Sequence, residues 1–382
     1  MNSFAGLRVG LIGPLPPPSG GMANQTKQLH RLLLSEGAKV ELIQVNRPYY
    51  PVWIGSVRWL RALARTGPYL VRLQQAARRV DLFHIMANSG WSWHFFAAPA
   101  AWVAHAHGIP SVVNYRGGNA EPFFDRSFRF VKPTLRLASE IVVPSPYLEA
   151  TFVRRGFHAS VVPNVVDLER FAPVPARPGG RQWKHDKPEI LVARNLEPLY
   201  DIQTALQAFR MVHQAIPGAR LKIAGSGPEQ PKLMELTSEL GLGDAVSFLG
   251  RIDNEEMPSL YRSADVVVNP SLVDNMPISL LEALASGVAV VSTDVGGIPL
   301  MVENRKTALL VRPRRPDALA DSVLDLLKDG DLRARLEKQG LALVQQYGWS
   351  RVRDRWARIY RQALERRRTQ PRVKVDVDRT RA

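Results

Sequence analysis

Short apolar runs recur along the chain, each bounded by glycine, proline or polar clusters and followed by a segment whose apolar positions return with helical spacing. That alternation reads as strand then helix, and it occurs twice. In the first half, residues 7–13 read as a buried strand, 22–35 as a helix stopped at Gly37, and 39–45 as the next strand. Further strands are expected at 82–86, 111–115 and 140–143, with helices over 93–105 and 128–138. Residues 172–188 are dense in Pro, Gly and charge and carry no periodicity, which marks a linker. The alternation then restarts, with strands at 189–193, 220–224, 246–249 and 265–268 and helices at 202–214, 231–240 and 255–263. A helix near 317–328 and a long basic helix over 350–368 complete the pattern. Uninterrupted apolar strands separated by helices belong to parallel sheets covered on both faces. The expected fold class is therefore α/β, with two Rossmann-like, doubly wound parallel-sheet domains at 1–172 and 189–348. The linker takes 173–188, a C-terminal helix 349–370, and a frayed basic tail 371–382.

Length agrees with two domains, since 382 residues are long for one core. No apolar run of membrane-spanning length lacks a charge, and the N-terminus enters a strand without a basic region and apolar signal core. The chain has no cysteine, which excludes disulfides and thiolate metal sites and fits a reducing compartment. These features set the expectation of a cytoplasmic protein. A net charge of +16 and a pI near 10.4 call for an anionic partner: nucleic acid, an acidic membrane face or a phosphorylated substrate.

The densest candidate chemistry lies between residues 266 and 297. An apolar strand is followed by a polar loop, by Pro277 where a helix can begin, by an apolar helix that Gly287 stops, and by another strand. Ligands of such sheets sit at the carboxyl ends of the strands, which places Asp274, Asn275, Met276, Pro277, Ile278 and Ser279 where a ligand would lie. Amides at a helix start lack helical partners and suit a phosphate or the polar edge of a base. Glu282, one turn further in, is placed to accept hydrogen bonds from a sugar diol. The loop alone leaves a second reading open, in which Asp274 caps the helix and Glu282 is solvated.

Three further loops share this character. Gly20 and Gly21 stand directly before a helix, where backbone amides can approach an anion. Arg194 follows a strand and offers paired donors to a diphosphate. Gly225, Ser226 and Gly227 form a tight turn after the next strand. Taken one at a time, each also reads as structural.

In their shared order these residues resemble the retaining nucleotide-sugar glycosyltransferases of the GT-B fold, family four. The likeness runs through Gly20-Gly21, Val143-Pro-Ser145, Val162-Pro-Asn164, the Arg194 loop, Gly225-Ser-Gly-Pro, Leu249-Gly-Arg251, Asn269-Pro-Ser271, the acids Asp274 and Glu282, and Asp294-Val-Gly-Gly297. It implies two domains facing a cleft, with the C-terminal helix crossing back to the first, and a donor site in the second. By matching positions, Glu282 would hold the ribose hydroxyls and Asp274 the donor sugar. The amides of residues 275–279 would meet sugar and phosphate, and Arg194 would neutralise the departing diphosphate, with the Gly20 and Gly21 amides contacting it from across the cleft. No cofactor and no metal is implied. The nucleotide-diphosphate sugar is a substrate, and the acceptor would be a glycan or lipid-linked glycan of cell-surface polysaccharide. A non-catalytic sugar-nucleotide-binding homologue and a sugar-nucleotide epimerase are the alternatives. A nucleic-acid-binding protein is disfavoured, since no recognised binding module is visible.

The chain departs from the family pattern at three positions. Asp274 stands where glutamate is usual, Tyr200 where a lysine commonly follows the arginine, and Arg116 where a histidine is usual in the first domain. One phosphate partner is then missing or supplied by Arg251 or Lys232, and Arg116 would bind an anionic acceptor or supplement the diphosphate clamp. His84, Asn88, Trp91 and Asn119 are candidates for the acceptor rim. Arginines between Arg47 and Arg79, interleaved with aromatics such as Tyr49, Trp53, Trp59 and Tyr69, describe a helix that either lies on an anionic membrane or packs its apolar face on the sheet. The first alternative would place the protein at the inner face of the cytoplasmic membrane.

Overall fold

The computed structural model describes residues 4–17, 20–47, 58–173 and 187–369. Most of the linker, residues 48–57 of the basic aromatic segment and the tail beyond 369 lie outside them, as do the side chains of 58–64 and 368–369. The chain forms two compact units. One comprises Met1–Val143, Thr151–Val162 and the chain from Arg353 on; the other comprises Pro144–Ala150 and Pro163–Val352.

The first unit contains β1 (Arg8–Gly13), α1 (Gly21–Ser35), β2 (Lys39–Gln44), α2 (Arg58–Ala77) and β3 (Leu82–Ala87). A π-helical turn, Trp93–Ala97, leads into α3 (Ala98–Ala106), followed by β4 (Ser111–Tyr115), α4 (Ala120–Leu137), β5 (Glu140–Val143), α5 (Pro146–Val153) and β6 (Ser160–Val161). All pairs are parallel, in the order β2-β1-β3-β4-β5-β6. Every residue of β3, β4 and β5 is buried, the polar His84, Ser111, Asn114 and Glu140 among them, as in a sheet covered on both faces. Helix α4 begins eight residues before the expected 128, because Phe123 and Phe124 join the aromatic cluster around Tyr115 and Phe152.

The second unit contains β7 (Glu189–Ala193), α6 (Ile202–Ala215), β8 (Arg220–Ala224), α7 (Gln230–Glu239), β9 (Val246–Gly250), α8 (Met257–Ser263) and β10 (Val266–Asn269). It continues through α9 (Ile278–Ala285), β11 (Ala289–Thr293), β12 (Leu309–Val311), α10 (Pro316–Lys328) and α11 (Gly330–Val344). Its parallel order is β12-β11-β10-β7-β8-β9. The chain winds outward from β7 to β9 and then returns to the other side of β7 at β10. The strand order therefore reverses between β7 and β10, and such a reversal opens a crevice at the strands' carboxyl ends. Segments Pro144–Ala150 and 163–172, expected with the first domain, group here because Ser145 and Asn164 bond to the loop before α9.

The last helix, α12 (Trp349–Thr369), returns to the first unit from Arg353 on. Trp356 and Tyr360 pack against His84 of β3, and Arg366 pairs with the buried Glu140 of β5 at 3.2 Å. His84 is thereby a correction to the expected acceptor rim: it is 0% exposed, mid-strand, with both ring nitrogens engaged. Its Nδ1 lies 2.7 Å from the Tyr360 hydroxyl, and its Nε2 faces the Asn114 amide at 3.0 Å. Burial, aided by the nearby Arg116 charge, pushes its pKa down to about 3, so the ring is neutral.

The described part of α2 also packs inward. Tyr69, Leu73, Ala76 and Ala77 are buried, and the Tyr69 hydroxyl donates to the Phe96 carbonyl at 2.7 Å.

Candidate active site

Arg194 and Asn269 stand at the ends of β7 and β10, the two strands that flank the reversal. Arg194 Nε donates to Asn269 Oδ1 at 2.7 Å, and Nη2 donates to Asp274 Oδ2 in an ion pair whose side chains are 11% and 12% exposed. The Tyr200 ring lies under the guanidinium, 4.8 Å from centroid to Cζ. Burial lowers the Arg194 pKa, and Tyr200, Tyr261 and Glu282 counter it electrostatically.

Asp274 does not cap α9. The residue before that helix is Pro277, and no side chain caps it. The other Asp274 oxygen, Oδ1, accepts from the Asn275 amide at 2.9 Å. Asn275 is buried and accepts from the Ser145 hydroxyl, while the Met276 carbonyl accepts from Asn164 Nδ2 at 2.7 Å. These bonds fix the loop that delivers Ile278 and Ser279 to the start of α9. The Ser279 hydroxyl there is buried and unpartnered, an unusual cost unless a ligand completes it.

Glu282 is not simply solvated either. It is partly buried one turn into α9, and its Oε2 accepts from the Tyr261 hydroxyl at 3.1 Å. Burial pushes its pKa up to about 7, against the opposing pull of that hydrogen bond and of Arg170 and Arg194. The sequence reading missed Tyr261 and Arg170, which come from α8 and from the segment before β7. Neither is near Glu282 in sequence, and only packing brings them there.

The glycines serve the loops before any ligand. A Cβ on Gly225, whose φ is +153°, would lie 1.8 Å from the Arg194 carbonyl oxygen, and one on Gly227 would lie 2.3 Å from that of Leu196. Leu196 N donates to the Ser226 carbonyl at 3.1 Å, so the two loops zip together. Gly296 and Gly297 likewise admit the Asp274 and Asn275 carbonyls, Gly297 N donating to Asp274 O at 3.1 Å. Of the expected substitutes for a second phosphate cation, Lys232 pairs with Glu229 at 3.8 Å and Arg251 is exposed just past β9.

In the first unit, the order reverses between β1 and β3. Gly20 caps α1 in extended backbone and Gly21 opens it, both in open space. Arg116, after β4, donates to Gln25 of α1 at 3.3 Å, and burial lowers its pKa to about 10, which leaves it cationic near neutrality. Asn88 accepts from the Ser89 amide at 2.8 Å, Trp91 is 75% exposed and stacks on Phe95, and Asn119 is exposed at the start of α4.

Two sequence profiles match the chain: one described as Glycosyltransferase Family 4 over residues 19–170, and one described as Glycosyl transferases group 1 over 177–342. The chain belongs to the group 1/family four glycosyltransferases. Its fold is that of this family's GT-B members. Sucrose-phosphate synthase from Thermosynechococcus elongatus superposes with a TM-score of 0.71 at 21% identity, over 94% of this chain and 100% of that one. HepE from Anabaena, solved with UDP and glucose, gives 0.72 at 18%, over 93% and 99%. Among relatives, the glycosyltransferase is 33% identical to the D-inositol 3-phosphate glycosyltransferase of Saccharomonospora viridis over 52% of its own length and 49% of the relative's. It is 28% identical to that of Corynebacterium urealyticum, over 78% and 75%. It is 31% identical to the GDP-mannose-dependent alpha-(1-6)-phosphatidylinositol monomannoside mannosyltransferase of Mycobacterium tuberculosis, over 52% and 55%. The chain thus spans about half the length of the first and third of these.

Proposed function

We propose that this glycosyltransferase moves a sugar from a nucleotide-diphosphate donor, with retention, to a glycan or lipid-linked glycan in cell-surface polysaccharide biosynthesis. The observation that carries this reading is the largely buried Arg194 side chain at the β7/β10 reversal, beside the start of α9 and within the same charge cluster as Glu282. A departing nucleoside diphosphate develops negative charge, and a preorganised guanidinium with helix-start amides meets it without reorganisation. The unpartnered Ser279 hydroxyl adds a donor at the same place. Glu282, oriented by Tyr261, accepts the ribose diol. Protein charge fills the role a metal would otherwise take, so turnover should survive EDTA. In the first unit, Arg116 with Asn88, Trp91 and Asn119 supplies cationic, polar and aromatic groups for the acceptor. The relatives named above are named for D-inositol 3-phosphate and for phosphatidylinositol monomannoside, which favours an anionic or lipid acceptor here as well.

The test offers a panel of nucleotide sugars and a membrane extract and follows nucleoside diphosphate release and label transfer. Arg194→Ala and Glu282→Ala should each lower turnover at least about tenfold. Unchanged turnover in both variants, or donor binding without transfer by the unmodified protein, would overturn the proposal.

A further inference from the structure

Arg194 is gripped from three directions in the second unit. Asn269 takes its Nε–H, Asp274 takes an Nη2 hydrogen, and the Tyr200 ring supports its face. An arginine carries five N–H donors, so those on Nη1 and the other Nη2 hydrogen are left for a ligand. We propose that Tyr200 and Asp274 are positioning residues acting through Arg194, which hold its guanidinium so that the unspent donors meet the donor pyrophosphate. This rests on the function proposed above and names how that site is ordered.

The surroundings of both residues serve this end. The Tyr200 turn is closed by a Tyr200 N to Glu197 O bond of 2.9 Å and enters α6 through Asp201, whose φ of 45° is left-handed. Asp201 is anchored by accepting from the Thr204 hydroxyl at 2.7 Å. The turn is tied to the loop carrying Asp274, since Leu272 N donates to Leu199 O at 2.8 Å. Ring and carboxylate therefore move as one frame around the guanidinium. Each oxygen of Asp274 accepts from a protein donor, one from Arg194 and one from the Asn275 amide, which turns this acid toward the arginine. The two departures at Tyr200 and Asp274 thus converge on a single cation. A lysine at 200 would repel that cation, whereas a ring face attracts it.

A double-mutant cycle separates positioning from packing, because Tyr200 also packs against the core of this unit. Nucleoside diphosphate release from UDP-glucose and GDP-mannose is the readout, with UDP and GDP binding by calorimetry. Tyr200→Leu and Asp274→Asn should each lower kcat about tenfold with KM changed by less than about threefold, whereas Tyr200→Phe should stay within about twofold of the unmodified enzyme. In an Arg194→Ala background, Tyr200→Leu should cost less than about twofold more, since its route of action is gone. Tyr200→Met, similar in reach but without a ring face, serves where Tyr200→Leu does not fold. Additive losses in the Arg194→Ala background, or a Tyr200→Phe loss equal to that of Tyr200→Leu, overturn the positioning role alone. Unchanged release by Arg194→Ala overturns both this role and the site reading.

Discussion

Glu282 titrates where its ligand would bind. Burial pushes its pKa from 4.5 up to about 7. The folded protein thus favours the neutral acid, and this contribution to stability is present below pH 4.5 and lost as pH rises through 7. Glu282→Gln should accordingly be more stable than the unmodified protein at pH 8, by about 2 kcal/mol, with the difference shrinking toward pH 4.5 in denaturant titrations. Recognition runs the other way, because an ionised carboxylate is the better acceptor for a diol. Affinity for UDP or GDP should weaken up to about tenfold from pH 8 to pH 6, and the Glu282→Gln profile should be flat. A flat profile in the unmodified protein would remove Glu282 from the ribose. The identity of this residue was legible in sequence, as an acid one turn into a helix after a strand. Its proton affinity was not, since that depends on Tyr261 and Arg170 reaching it from other elements.

Between elements, the close approach of the loops after β7 and β8 sets the site's dimensions. Gly225→Ala puts a methyl group into the Arg194 carbonyl at a φ that side chains rarely adopt. It should cost at least about 2 kcal/mol and displace Arg194, lowering turnover together with the thermal midpoint. The sequence showed a glycine turn suited to close backbone approach; the structure identifies a neighbouring loop as what approaches. The seam between α12 and β3 makes a second element-level prediction. His84 is held neutral, with its pKa lowered from 6.5 to about 3, so its contribution to stability is present above pH 6.5 and lost as pH falls through 3. Tyr360→Phe removes its Nδ1 partner and should cost about 1 kcal/mol at pH 7 without changing transfer kinetics. A kinetic defect with unchanged stability would return His84 to the substrate.

For the whole molecule, the net charge of +16 and the aromatics exposed on the first unit, Trp91, Trp102 and Phe130, together predict membrane attraction. Arg129 lies over the Phe130 ring at 4.5 Å, with Arg126 and Arg136 exposed on the same helix. Among the described residues no helix is long and apolar enough to cross a membrane. Flotation with anionic vesicles should exceed that with neutral vesicles and fall several-fold between about 0.05 and 0.3 M salt. Equal flotation with both would assign the charge to another partner.

The sequence by itself determined two parallel-sheet units, most of their strand boundaries and the loops that carry Arg194, Asp274 and Glu282, because strand burial and helix punctuation are local signals. Short elements without a clear period, such as β6 and β12, were not legible, and neither was the early start of α4, which long-range aromatic packing sets. Only the tertiary structure decided that Asp274 pairs with Arg194, that Tyr200 lies beneath it and that His84 belongs to the core. Each of those outcomes depends on strands and helices distant in sequence meeting at one point, where burial and charge act between side chains that no local pattern connects.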